Sequence, residues 1–221
     1  MRYPVLATDY DGTLADHGQA DEATWAGVER WKASGRRIVL VSGRELDEFL
    51  AVCGRVDLFD RVVLENGALL YRPGDRSATT LASPPPKGFI ERLRARGVAP
   101  ISTGRVIVAT WEPHGPVIEE TIALMGLDLR VIPNKRALMV LPPGVDKDSG
   151  LRVALDELGF SVQDAVGVGD AENDLAMLEA CALGVAVANA LPMVKERAHR
   201  VTRGERGSGV VELIDSLLGA E

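Results

Sequence analysis

The chain has 221 residues, enough for one large domain or two small ones. Hydrophobic residues make up 46% and charged residues 26%, the balance of a globular protein with ample core material. The formal net charge of −7 excludes nucleic-acid or membrane-surface binding driven by bulk charge, so an anionic ligand needs a locally positive pocket. No apolar stretch approaches the roughly 18 residues of a spanning helix. The N-terminus carries no secretory pattern, so a cytoplasmic location is expected. Cys53 and Cys181 are the only cysteines. Both stand in apolar helical contexts, which predicts buried free thiols rather than a disulfide or a metal pair.

A short apolar run, Val5-Leu6-Ala7, leads into Asp9-Tyr10-Asp11-Gly12-Thr13. Residues i and i+2 of a strand share a side, so the two carboxylates repel unless a cation lies between them. Gly12 permits a sharp turn, and Thr13 offers a hydroxyl just beyond it. This is the pattern of a site at the C-terminal edge of a parallel sheet, where open α/β folds place their ligands. A helix is expected over 21–34, stopped by Gly35. The β-branched run Arg37–Val41 ends in Ser42-Gly43-Arg44, and Arg61–Leu64 leads into Glu65-Asn66-Gly67. A small hairpin is expected over 69–81 around Pro73-Gly74. Two further apolar runs, at 165–169 and 183–187, complete the set. Strands of this kind spaced by helices predict a Rossmann-like, doubly wound α/β core whose parallel sheet is covered on both faces.

The middle of the chain differs. Pro84-Pro85-Pro86 and Pro142-Pro143-Gly144 bracket a segment of about 60 residues, and such proline clusters make stiff linkers. Inside the bracket we expect a helix over 87–96 and strands over 98–102 and 106–111. A second helix over 116–125 and strands over 127–132 and 137–141 follow, the last pair turning near Asn134-Lys135. The resulting αββαββ order predicts a small α+β cap, 84–143, inserted into a core made of 1–83 plus 144–221.

Four segment ends carry polar residues of one kind: Asp9 and Asp11, then Ser42-Gly43-Arg44, then Asp146-Lys147-Asp148, then Gly169-Asp170-Ala171-Glu172-Asn173-Asp174. Singly, each reads as a helix cap or a solvated charge. Together, at one sheet edge, they converge on one crevice and suggest phosphoryl transfer. Asp9 and Asp170, with a carbonyl near Asp11, offer the hard oxygen ligands that Mg²⁺ prefers. A carboxylate can attack phosphorus, and Asp11 can protonate the leaving oxygen and then activate water. Lys147, with the hydroxyl and backbone N–H of Ser42, would neutralise the transferring phosphoryl group. Helix N-termini expected after Asp9, Ser42 and Asp170 would add positive dipole ends.

In order, these four segments resemble the motifs of the haloacid dehalogenase-like phosphatases, and the match spans nearly the whole chain. The inserted unit is similar to the type IIB cap of the Cof-like branch, as are Glu65-Asn66-Gly67-Ala68 and the runs around Asp170 and Asn189. The small cap resembles that of the smaller phosphoglycolate phosphatases. The resemblance implies Asp9 as nucleophile and metal ligand, and Asp11 as acid/base and carbonyl ligand. It implies phosphate contacts from Ser42, Gly43, Arg44, Lys147 and Asn173, and metal binding by Asp170 with Asp174 in support. The implied activity is Mg²⁺-dependent hydrolysis of a small phosphate ester, phosphoglycolate or a sugar phosphate, through an aspartyl phosphate. A phosphomutase, a trehalose-phosphate-type phosphatase and a non-catalytic scaffold remain as alternatives. Tyr10 stands where Cof-like members carry Leu or Met, a feature shared with trehalose-phosphate phosphatases. Lys147 is followed by Asp148-Ser149-Gly150 rather than by the usual Lys-Gly pair.

No serine-hydrolase elbow, dinucleotide fingerprint or phosphate-binding Gly-x-x-x-x-Gly-Lys loop occurs. His17 and His199 are expected at the surface and His114 in the cap. Trp25 and Trp31 should pack a helix, and Trp111 should border the cap-to-core cleft. Arg44, Arg105, Lys135 and Arg136 are candidates for contacting an anionic leaving group. The expected partner is a small phosphate ester, with neither nucleic acid nor membrane; the sequence leaves the oligomeric state open.

Overall fold

In a computed structural model that describes residues 3–219, the strand leading to the first acidic motif is β1 (Val5–Thr8). It is buried along its length and lies between β2 (Arg37–Val41) and β10 (Ala165–Gly169), parallel to both. The order then runs outward from β2 to β3 (Arg61–Leu64), β4 (Leu69–Arg72) and β5 (Ser77–Thr80), and from β10 to β11 (Leu183–Ala186) and β12 (Arg200–Val201). The pairs β3–β4 and β4–β5 are antiparallel and the rest are parallel. Chain order reverses at β1, so the C-terminal ends of β1, β2 and β10 frame the switch-point crevice of a doubly wound sheet.

Local chemistry sets the helices that cover this sheet. Asp21 caps α1 (Glu22–Ala33) by accepting the Thr24 N–H at 2.8 Å, the usual way to satisfy a free helical amide. Asp146 and Ser149 form a reciprocal capping box at the start of α5 (Lys147–Glu157). α1 packs on α8 (Arg206–Leu218), while α5 packs on β2, β3 and α6 (Leu175–Ala180). Trp25 and Trp31 are buried in α1, as expected. Cys53 and Cys181 are buried free thiols. Among the described residues no helix is long and apolar enough to cross a membrane.

A second, antiparallel sheet has the order β6 (Ser102–Thr103), β7 (Val108–Trp111), β9 (Ala137–Leu141), β8 (Arg130–Asn134). Its period-2 alternation divides two apolar layers. Val108, Leu138 and Val140 join Phe89 and Leu93 of α3 (Lys87–Ala95) and Ile118 of α4 (Gly115–Leu124). Ile107, Met139 and Leu141 pack the other way, with Ala68 of the large-sheet layer.

Three expected strands are redrawn. The strand expected over 98–102 shrinks to Ser102–Thr103, because Pro100 has no N–H for a ladder and its carbonyl accepts the Thr110 hydroxyl at 2.6 Å. The strand expected from 106 begins at Val108, because the N–H groups of Arg105, Val106 and Ile107 all donate to the buried Glu65 carboxylate, at 2.7–2.9 Å. The strand expected over 127–132 shifts to Arg130–Asn134, and the chain reverses at Lys135, whose φ is 55°.

α5 lies against the turn after β3 through a glycine-on-glycine contact. A Cβ on Gly150 would sit 2.6 Å from the Gly67 Cα and 2.6 Å from Val63 Cγ1. Gly150→Ala should therefore lower unfolding free energy in urea by about 2 kcal/mol. Gly74→Ala, which meets nothing within 4 Å, should change it little.

Candidate active site

Asp9 keeps its place beyond β1 because its N–H still donates to Val168 O at 3.0 Å. Tyr10, on the opposite side, is buried with its edge against Phe49, centroids 5.3 Å apart, and its hydroxyl donates to Gly18 O at 3.0 Å. The Tyr10 carbonyl accepts the N–H groups of Thr13, Leu14 and Ala15. This closes a tight loop in which Gly12 takes φ 88°. The helix N-terminus expected after Asp9 is therefore absent, since three amides turn back on one carbonyl. α1 starts only at Glu22.

Lys147 is the hub. Its ammonium is 1% exposed and lies 2.6 Å from Asp9 Oδ1 and 2.6 Å from Asp174 Oδ1. Burial alone would lower its pKa, but Asp174 and Asp9 overcome that effect and hold it above the usual lysine value. The other Asp174 oxygen accepts the N–H groups of Asp170 and Ala171, at 2.8 and 2.9 Å. That carboxylate thus orders the loop after β10 as well as meeting the lysine. Burial, with the negative Asp174 and Asp170 nearby, pushes Asp9 up to about 7 against the opposing pull of Lys147.

Asp170, 2% exposed in its side chain, receives the Lys135 ammonium at 2.9 Å from the β8–β9 turn. Burial raises its pKa, and the Lys135 contact opposes the shift. Thr13 Oγ1 approaches Asp170 Oδ1 at 3.5 Å. Asn189 Nδ2 donates to Gly12 O at 2.7 Å and nears Asp170 Oδ2 at 3.4 Å. Asp9, Asp170 and Asp174 each offer an oxygen within 4.8 Å of the others. A Cβ on Gly12 would stand 2.5 Å from Asp170 Oδ2, so glycine alone leaves that oxygen room. A buried all-oxygen cluster that already attracts two ammonium groups fits a hard divalent cation such as Mg²⁺.

Asp11 points elsewhere. Arg44 grips it with both prongs, Nε to Oδ2 at 2.5 Å and Nη2 to Oδ1 at 2.7 Å, the strong bidentate form of a charged hydrogen bond. The Ser42 N–H, expected to face phosphate, is instead donated to Val63 O at 2.8 Å, because Ser42 continues the β2–β3 ladder. Its hydroxyl accepts the Arg44 N–H at 3.2 Å. A Cβ on Gly43 would sit 3.3 Å from Met139 Sδ, so the glycine lets the small sheet close over this loop. Asn173 Nδ2 donates to Asn66 Oδ1 at 2.9 Å, while Asn173 Oδ1 has no partner.

One cleft therefore collects Asp9, Asp11, Ser42, Gly43, Arg44, Asp170 and Asn173. Lys147 and Asp174 lie beneath Asp9 rather than in the cleft lining. Trp111, 55% exposed, borders the cleft from β7, opposite Glu48 of α2 (Leu46–Val52). Arg105 and Arg136 line no part of it, and neither does His114, whose Nε2 lies 3.0 Å from Ala99 O. His17 and His199 are both exposed, as expected, and the Nδ1 of His199 accepts the Gly184 N–H. Sequence reasoning named Asn189 and Glu172 within its motifs but gave them no role; they hold Gly12 O and the Lys135 N–H. Both are polar residues just past a strand, the signal that had marked Asp9 and Asp170.

Comparison with known proteins places the chain in a family. The model of the haloacid dehalogenase-like hydrolase family matches residues 6–108 and 120–214. The chain is 31% identical over 223 residues to a phosphoglycolate phosphatase of Methanothermobacter thermautotrophicus, covering 97% of this chain and 99% of the relative. It is 30% identical to phosphoglycolate phosphatase 2 of Saccharolobus solfataricus, covering 97% and 92%. Among solved structures, a haloacid dehalogenase-like hydrolase from Bacteroides thetaiotaomicron superposes with a TM-score of 0.82 at 20% identity, covering 98% of this chain and all of that one. A HAD subclass IIB sugar phosphatase superposes with a TM-score of 0.77 at 18% identity, covering 98% and 99%. With the family model covering most of the chain, this protein belongs to the haloacid dehalogenase-like hydrolase family.

Proposed function

We propose that the chain is a Mg²⁺-dependent phosphatase that hydrolyses a small phosphorylated metabolite through an aspartyl phosphate on Asp9. In this reading 1–83 plus 144–221 form the catalytic core and 84–143 the cap. The observation that carries it is the buried Lys147 ammonium bridging Asp9 and Asp174, with Asp170 beside them. The names of the phosphoglycolate phosphatase and sugar phosphatase relatives support this substrate range.

Asp9, Asp170 and the Asp11 carbonyl would hold the metal, with Asp174 in support, and bound there it supplies charge that draws in a phosphate and offsets its oxygens. The Asp9 oxygen not bonded to Lys147 attacks phosphorus, forming an O–P bond as the ester P–O bond breaks. Lys147 keeps Asp9 oriented and favours its ionised form. The departing oxygen takes a proton from Asp11, whose carboxylate then removes one from water. That water attacks phosphorus, releasing inorganic phosphate and restoring Asp9. For Asp11 to carry a proton, Arg44 must release one of its two oxygens, which frees that guanidinium prong for the substrate phosphate. The Ser42 hydroxyl and Gly43 line the same wall.

Phosphate release from p-nitrophenyl phosphate should require Mg²⁺, stop with EDTA and return on adding Mg²⁺. Asp9→Asn keeps the shape but not the nucleophile and should lower kcat by at least about 1,000-fold. Near-full activity in that variant would overturn the assignment. Lys147→Met strands two buried carboxylates. Urea unfolding of the metal-free variant should show a loss of about 3–5 kcal/mol.

A further inference from the structure

Two partly exposed cations rest on the site's own carboxylates, Arg44 on Asp11 and Lys135 on Asp170. Lys135 is the unusual one, because it comes from the small sheet and lands on a carboxylate of the metal-type cluster. Its side chain is 48% exposed while that of Asp170 is 2% exposed, so the ammonium can leave and the carboxylate cannot. The turn that carries it is held separately, since the Lys135 N–H donates to Glu172 Oε2 at 2.9 Å. Asn134 and Ala137 on either side of the turn line the cleft, so a displaced ammonium stays tethered beside it. A divalent ion on Asp170 and an ammonium 2.9 Å from the same carboxylate oxygen repel each other while sharing one acceptor. Among the described residues the cations ion-paired with Asp9, Asp11, Asp170 or Asp174 are Arg44, Lys135 and Lys147, and Lys135 is the one supplied by the small sheet. Glu48 lines the cleft, and with Glu45 it lines the pocket next to it.

We propose that Lys135 is a built-in rival of the divalent cation for Asp170 and that, once displaced, it pairs with an anionic group on the leaving portion of the substrate. The second half rests on the phosphatase reading; the first half does not. The chain would then favour phosphate esters whose far end carries a carboxylate or another phosphate, and Lys135 would be the residue that sets this preference. Loading the metal and recruiting such a substrate become linked steps, because the first releases the group that serves the second.

Calorimetric titration with Mg²⁺ alone tests the rivalry. Lys135→Gln should bind Mg²⁺ about 10-fold tighter than the parent chain, the size expected for removing one charge-assisted competitor. Lys135→Arg should stay near the parent. Steady-state kinetics test the hand-over: in Lys135→Gln the ratio of KM for phosphoglycolate to KM for p-nitrophenyl phosphate should rise about 10-fold. Unchanged Mg²⁺ affinity in Lys135→Gln would overturn the rivalry, and an unchanged KM ratio would overturn the hand-over. If the parent chain hydrolyses neither ester, the phosphatase reading fails, while the Mg²⁺ titration still decides the first half.

Discussion

A single buried ammonium organises this protein. Lys147 stands between Asp9 and Asp174 with almost no access to water, so removing any one of the three leaves charge in a low-dielectric interior. The bridge ties β1, α5 and the loop after β10 to one point. The architecture around it serves that meeting. The Asp146–Ser149 box fixes the first turn of α5. Gly150 lets the helix lie against the turn after β3, and Asp174 gathers two loop amides with its free oxygen. The site is built from the inside outward, and the cleft is the outer surface of a neutralised buried cluster.

The large sheet was legible because its signals are local. β-branched runs bounded by Gly and polar residues marked β1, β2, β3, β10 and β11 to within a residue, and the polar residues at their ends marked Asp9, Ser42 and Asp170. The small sheet was read less well for a reason equally physical. The start of β7 is set by a carboxylate some forty positions earlier, Glu65, which takes the amides that would otherwise extend the strand. No periodicity in 98–111 records that demand. The Arg44–Asp11 fork and the Lys135–Asp170 contact escaped for the same reason. Residue type shows that a cation is present, but only the fold shows which anion it meets.

Tyr10 shows how a residue between two functional ones can be structural. Strand alternation sends Asp9 toward the crevice and Tyr10 into the core, where its ring meets Phe49 and its hydroxyl holds Gly18 O. Its carbonyl then folds the loop that turns Asp11 toward Arg44 and away from the carboxylate cluster. The pair of aspartates is thereby separated into two electrostatic settings, one answered by lysines and the other by an arginine.

The Glu65 clasp has a mechanical consequence. A fully buried carboxylate that accepts three backbone amides at once cannot be partly undone, because each bond lost leaves a desolvated group without a partner. The opposite margin of the small sheet adds a half-exposed lysine side chain and one amide to the apolar packing of Met139, Leu141 and Ile132 around Ala68. Separating the two layers is therefore costlier at the Glu65 margin, where three amides and a carboxylate would all be left desolvated, than at the margin of Lys135.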